Sequence, residues 1–104
     1  MDWIETIHVR SHSPRHRDLA ISAFGQLSPG VRETDMEQFA LFKSLSVDGD
    51  LTLFIAWNGP VPPQGKSSLG FRLASACSDF GQINHSVWIC EGKTPITEYK
   101  EKRA

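Results

Sequence analysis

The sequence predicts a small α+β domain whose elements run β-α-β-β-α-β. Three observations carry that reading. Apolar periodicity switches between two and about 3.6 residues along the chain. Ser13-Pro14 opens the first helical stretch as N-cap and first helical residue. Asp48-Gly49 separates two apolar runs, as a hairpin turn does.

The elements follow in order. Residues 3 to 12 alternate as a strand, with Trp3, Ile7 and Val9 on one face and Ile4, Thr6, His8 and Arg10 on the other. A helix over roughly 14 to 27 carries the stripe Leu19, Ala20, Ala23, Phe24 and Leu27, and Ser28-Pro29-Gly30 stops it. Residues 36 to 47 fit a helix by the spacing of Met36, Phe39 and Ala40. The alternation of Phe39, Leu41, Leu45 and Val47, followed by Asp48-Gly49, favours a strand. Its partner, Leu51 to Trp57, is apolar on both faces and so must be covered on both. A Pro- and Gly-rich loop from Asn58 to Gly65 leads to a second helix, about Ser67 to Asp79. Leu69, Leu73, Ala76, Cys77 and Phe80 form its stripe, and Gly81 stands where a C-terminal cap glycine belongs. A last strand, Gln82 to Cys90, turns Ile83, Val87 and Ile89 inward and His85 with them. Right-handed crossovers with this order give the ferredoxin-like arrangement, a four-stranded antiparallel sheet with both helices on one face. The domain spans 1–91, and 92–104 reads as a polar, flexible tail.

Composition narrows the function classes. With 39% hydrophobic and 22% charged residues the chain supports a modest core and is not of the disordered class. A core of this size is thin, and pairing of subunits would help it. The net charge of −1 lacks the basic excess of a nucleic-acid binder. No apolar run approaches the roughly 18 residues that cross a bilayer. The segment Met1-Asp2-Trp3-Ile4-Glu5 carries acids where a secretion signal needs a basic start, so the expected location is cytoplasmic. Cys77 and Cys90 are then expected as reduced core thiols.

Motifs of known chemistry are mostly excluded. Gly65-Lys66-Ser67 precedes a helix, but the phosphate-loop pattern needs glycine at position 60, where proline offers no N–H. Weak anion binding at that helix start is compatible with the residues. His8, His12 and His16 recur every fourth residue, yet Pro14 breaks any continuous helix through them. On a strand, His8 and His12 lie about 13 Å apart, too far to share an ion. No metal site and no cofactor is expected, and no hydrolase grouping occurs. The third strand, Asp50-Leu51-Thr52-Leu53-Phe54-Ile55-Ala56-Trp57, lacks the basic and aromatic pattern of an RNA-recognition sheet.

The sheet face turned away from the helices is more informative. It should gather Thr6, His8 and Arg10 with Phe42, Ser44, Thr52 and Phe54, and Ser86 and Trp88 from the last strand. Aromatics mixed with hydrogen-bonding groups suit a subunit interface or a small-molecule pocket. His8, Arg10, Phe54, Ser86 and Trp88 are therefore the candidate pocket residues of a homodimer, whose ligand would be small and partly aromatic. No residue is assigned as catalytic. His8 is chemically suited to proton transfer and Arg10 to an anionic group. A structural or regulatory domain without a ligand fits the same residues.

The stretch Ile4-Glu5-Thr6-Ile7-His8-Val9-Arg10-Ser11, with Trp57 ending the third strand before the loop into the second helix, resembles the dimeric α/β-barrel superfamily and its antibiotic-biosynthesis monooxygenase-like domains. The resemblance implies two sheets paired face to face around a pocket. It also implies a possible cofactor-independent oxygenase or isomerase activity, with His8 as the acid or base.

Overall fold

A computed structural model describes residues 1–94. The elements are β1 (Trp3–Ser11), α1 (Pro14–Leu27), β2 (Met36–Lys43), β3 (Asp50–Trp57), α2 (Ser68–Cys77) and β4 (Gly81–Ile89). They form one antiparallel sheet in the order β2-β3-β1-β4. The ferredoxin-like α+β fold expected from the sequence is the fold observed. Residues 36–43 are strand, which decides between the two readings of that segment. Much of the tail, 95–104, lies outside the described residues.

Local chemistry accounts for the helix starts. The Ser13 hydroxyl accepts from the His16 backbone N–H at 3.1 Å, and Pro14 occupies the first turn, where its missing N–H costs nothing. The Ser67 hydroxyl caps α2 in the same way, accepting from the Gly70 N–H at 2.8 Å. A single 3₁₀ turn at Ser28–Gly30 follows α1.

The core lies between the sheet and α2. Ile7, Val9, Leu51, Leu53 and Ile55 are buried with Trp3 and Trp57 from the strands, and Leu69, Leu73 and Ala74 join them from α2. Trp3 and Trp57 face each other in register and stack with centroids 5.5 Å apart. Burying each large aliphatic side chain contributes about 1.5–3 kcal/mol, so β1 and β3 hold most of the stability.

Four expectations need correction. The hairpin between β2 and β3 is not a two-residue Asp-Gly turn. It is a longer loop over 44–49, in which Gly49 alone has a positive φ, +90°, and Ser44 Oγ accepts from the Val47 N–H. Leu45 and Val47 therefore do not continue the strand and are exposed. Gly81 is not a helix cap but the first residue of β4. A side chain there would meet the Arg10 carbonyl oxygen at 2.1 Å, so only glycine lets β4 close on β1. The stripe of α1 is not buried: no residue of α1 is, and Leu19 and Leu27 stay about half exposed, with Ala20 and Phe24 alone packing partly on the core. Finally, both cysteines are free thiols, but only Cys77 is partly buried, and Cys90 is exposed beyond the end of β4.

Candidate functional site

Strand alternation sets the open face of the sheet. In register, Thr6 stands between Phe54 of β3 and Ser86 of β4, His8 between Thr52 and Asn84, and Ile4 between Ala56 and Trp88. The five candidate residues His8, Arg10, Phe54, Ser86 and Trp88 thus share one face around Thr6. The Trp88 indole N–H donates to Thr6 Oγ1 at 3.3 Å, and Phe42 meets Phe54 edge to face at 5.9 Å. Phe42 is 54% exposed and Trp88 59%, so this face presents large apolar surface to solvent.

One end of that face is charged, and its central acid was not anticipated. Asp50, nearly buried at the start of β3, accepts two hydrogen bonds from the Arg10 guanidinium, both 3.2 Å, and lies 3.2 Å from His8 Nε2. The Arg10 hydrogen bonds chiefly, with help from His8, hold the Asp50 carboxyl below the usual carboxylate range against the opposing effect of desolvation. Arg10 and His8 are therefore already engaged by an internal acid. Beside them His8, Arg10, Gln82, Ile83 and Asn84 line a shallow depression of about 280 Å³.

The other face holds a second polar cluster, under the start of α2. Glu5 projects inward from β1 and is 0% exposed. Its Oε1 accepts from the Trp57 indole N–H at 2.9 Å, and its Oε2 accepts from the Ser67 backbone N–H at 3.3 Å and lies 2.7 Å from His85 Nε2, within hydrogen-bond distance. The Trp57 and Ser67 N–H groups donate to the buried carboxyl, one to each oxygen, and it sits at the positive end of the α2 dipole. Gly70 makes room for it: a Cβ there would fall 2.1 Å from Glu5 Oε2. Trp57 is accordingly core and hydrogen-bond donor together. Glu5 is not among the residues singled out from the sequence; the signal for it is parity, which makes it the one charged residue in the inward row Trp3, Glu5, Ile7, Val9, and the same parity turns His85 inward.

A third feature is a small apolar cavity of about 70 Å³ between α1, α2 and the sheet. Val9, Phe24, Leu51, Leu73, Cys77 and Phe80 are among its walls. Burial there pushes the pKa of the Cys77 thiol up. Among the described residues no helix is long and apolar enough to cross a membrane, and no group of three or more His, Cys, Asp or Glu residues could hold a metal ion.

No family model and no curated protein matches the chain. Solved structures do. The chain is similar to a candidate antibiotic biosynthesis monooxygenase from Deinococcus radiodurans, at 11% identity and a TM-score of 0.65 over 91% of this chain and 98% of that one. It is also similar to SnoaB, a cofactor-independent oxygenase from Streptomyces nogalater, at 11% identity and a TM-score of 0.56 over 91% and 99%. A variant of SnoaB aligns with a TM-score of 0.58. The structural neighbours are thus of the monooxygenase-like kind that the sequence resembles, and at this identity the likeness is one of fold.

Proposed function

We propose that this chain acts as a homodimeric domain that binds a small, partly aromatic molecule between two paired sheets. The observation that carries the reading is the open sheet face, where Phe42, Phe54 and Trp88 surround Thr6 and Ser86 and lead to the His8, Arg10 and Asp50 cluster. Strand spacing and rise give this face an area of roughly 500 Å² per copy, or roughly 1,000 Å² for a pair, the lower limit for a specific interface. Aromatics at its centre and charges at one end are the composition of an interface core and its rim. Light scattering at micromolar concentration should report twice the chain mass, and Phe54→Asp should halve it. Under this reading His8→Ala leaves the fold intact and weakens a ligand found by thermal-shift screening by about 1–3 kcal/mol, the worth of one hydrogen bond to a charged group. A monomeric wild-type protein would sink the pairing and the shared pocket together.

A second reading is a cofactor-independent oxygenase or isomerase. Two observations favour it: the activity named for SnoaB, and the apolar cavity between the helices and the sheet. At about 70 Å³ that cavity is smaller than the roughly 150 Å³ that admits a benzene ring. A substrate would have to displace α1, and a helix with no buried residue is suited to move.

A further inference from the structure

Arg10 and Asp50 stand opposite each other in register at one end of the open sheet face, and they are unequally exposed. Asp50 is nearly buried, whereas the Arg10 side chain is 65% exposed. The carboxylate engages only one edge of the guanidinium, accepting one hydrogen bond from Nε and one from Nη2. Both hydrogens of Nη1 and the second hydrogen of Nη2 have no partner among the described residues. Such an ion pair contributes little stability by itself. Its consequence here is geometric. A planar donor group on a flexible stem is held in place, so an anion that meets the free edge loses less entropy in fixing it.

The neighbours of Arg10 suit an anion that carries a ring. Arg10 lines the depression of about 280 Å³ together with His8, Gln82, Ile83 and Asn84. By register Gln82 stands opposite Arg10 and Asn84 opposite His8, and both carboxamides are exposed with no hydrogen-bond partner among the described residues. Their N–H groups can donate to an oxyanion. The next row across the sheet runs Asn84, His8, Thr52, Phe42, and Phe42 meets Phe54 edge to face. Two residues of strand rise, roughly 7 Å, separate the Arg10 row from the His8 row. A carboxylate joined to an aromatic ring by a short alkyl link covers that distance.

Resting on the paired-sheet reading for the cover over this face, we propose that the ligand is an arylalkanoate. Its carboxylate is received by the free edge of Arg10 and by Gln82 and Asn84, and its ring lies over His8 toward Phe42. Asp50 sets the charge of the head group. Beside an acid already present, a monoanion is matched by the remaining donors and a dianion is repelled.

The probes are phenylacetate, its neutral amide phenylacetamide, and the doubly charged phenyl phosphate, each titrated into isotope-labelled wild-type protein and followed by NMR. Phenylacetate should bind saturably and shift the Arg10 Nε–H and the side-chain amides of Gln82 and Asn84. It should bind about tenfold or more tighter than phenylacetamide, as one charge-assisted hydrogen bond requires. Phenyl phosphate should bind more weakly than phenylacetate. Arg10→Lys keeps the charge and loses the planar fork, so it should weaken phenylacetate severalfold more than phenylacetamide. Gln82→Ala, at an exposed position, should weaken phenylacetate severalfold with the fold unchanged. Should Arg10→Lys fail to fold, the acid–amide comparison in wild-type protein and the Gln82→Ala result supply the decision. Equal affinity for acid and amide, tighter binding of phenyl phosphate, or shifts centred on the Ser67 and Gly70 N–H groups in place of Arg10 overturns the proposal. Light scattering on the same samples separates it from the reading it rests on. A dimer that does not tell acid from amide refutes the carboxylate assignment alone. A monomer that still binds phenylacetate at Arg10 refutes the pairing and supports the head-group site.

Discussion

Replacing Gly70 with alanine should destabilise the protein by about 2–5 kcal/mol, although alanine is the better helix former. On propensity alone the change gains about 1 kcal/mol. Against that, the new Cβ would lie 2.1 Å from Glu5 Oε2, 2.8 Å from Glu5 Cδ and 3.0 Å from His85 Cε1. A carboxylate at the end of a free side chain would swing aside cheaply. This one is held from three directions by Trp57, Ser67 and His85, with no solvent-facing space to enter. Overpacking costs about 1–3 kcal/mol, and losing a hydrogen bond to a buried charge adds about 1.5–3 kcal/mol. For a domain of this length the net loss lowers the melting temperature by roughly 10–30 °C. Urea unfolding followed by tryptophan fluorescence, at fixed protein concentration, measures it. In a Glu5→Ala background the same Gly70→Ala change should cost little, because the colliding group is gone. A Gly70→Ala variant as stable as wild type would refute the claim that the carboxylate is pinned.

Two further outcomes follow from the ionisable groups. Because Arg10 and His8 hold the Asp50 carboxyl below its ordinary value of 3.8, its ionisation contributes stability that is present above that value and lost as pH falls through the lower folded one. Asp50→Asn should therefore flatten the loss of stability on acidification below about pH 4, and urea midpoints measured down to about pH 3 test this; an unchanged slope removes Asp50 from the account. Cys90 is exposed and Cys77 partly buried with a raised pKa, so a thiol reagent should label Cys90 fast and Cys77 slowly. If the helix–sheet cavity takes an apolar compound, that compound should slow Cys77 further and leave Cys90 unaffected; equal protection of both would count against the cavity as a site.

Much of this architecture is readable from the one-dimensional pattern, because side-chain direction in a strand depends only on parity. Alternation in β1 and β3 places Ile7, Val9, Leu53 and Ile55 inward and His8, Arg10 and Phe54 outward without any knowledge of partners. Ser13-Pro14 locates the start of α1 because capping is satisfied within one turn. Short-range rules mislead where distant chain decides. Asp48-Gly49 has the chemistry of a tight turn, yet the loop over 44–49 takes a longer path, tied to β1 by the Ser11 N–H donating to the Gly49 carbonyl. Gly81 follows a helix as a cap glycine would, but the close approach of Arg10, seventy-one positions earlier, is what demands it.

Local pattern alone sets the order of elements, the two faces of the sheet and the inward row Trp3, Ile7 and Val9, since each follows from local dihedral preference and a fixed period. It takes the folded chain to bring Asp50 to Arg10 and His8, to lay α1 on the core without burying a residue, and to bring Glu5 to Trp57, Ser67 and His85. Those partners are 52, 62 and 80 residues away along the chain. Contacts at such separations are fixed by strand register and by the seating of α2, and no local pattern encodes them.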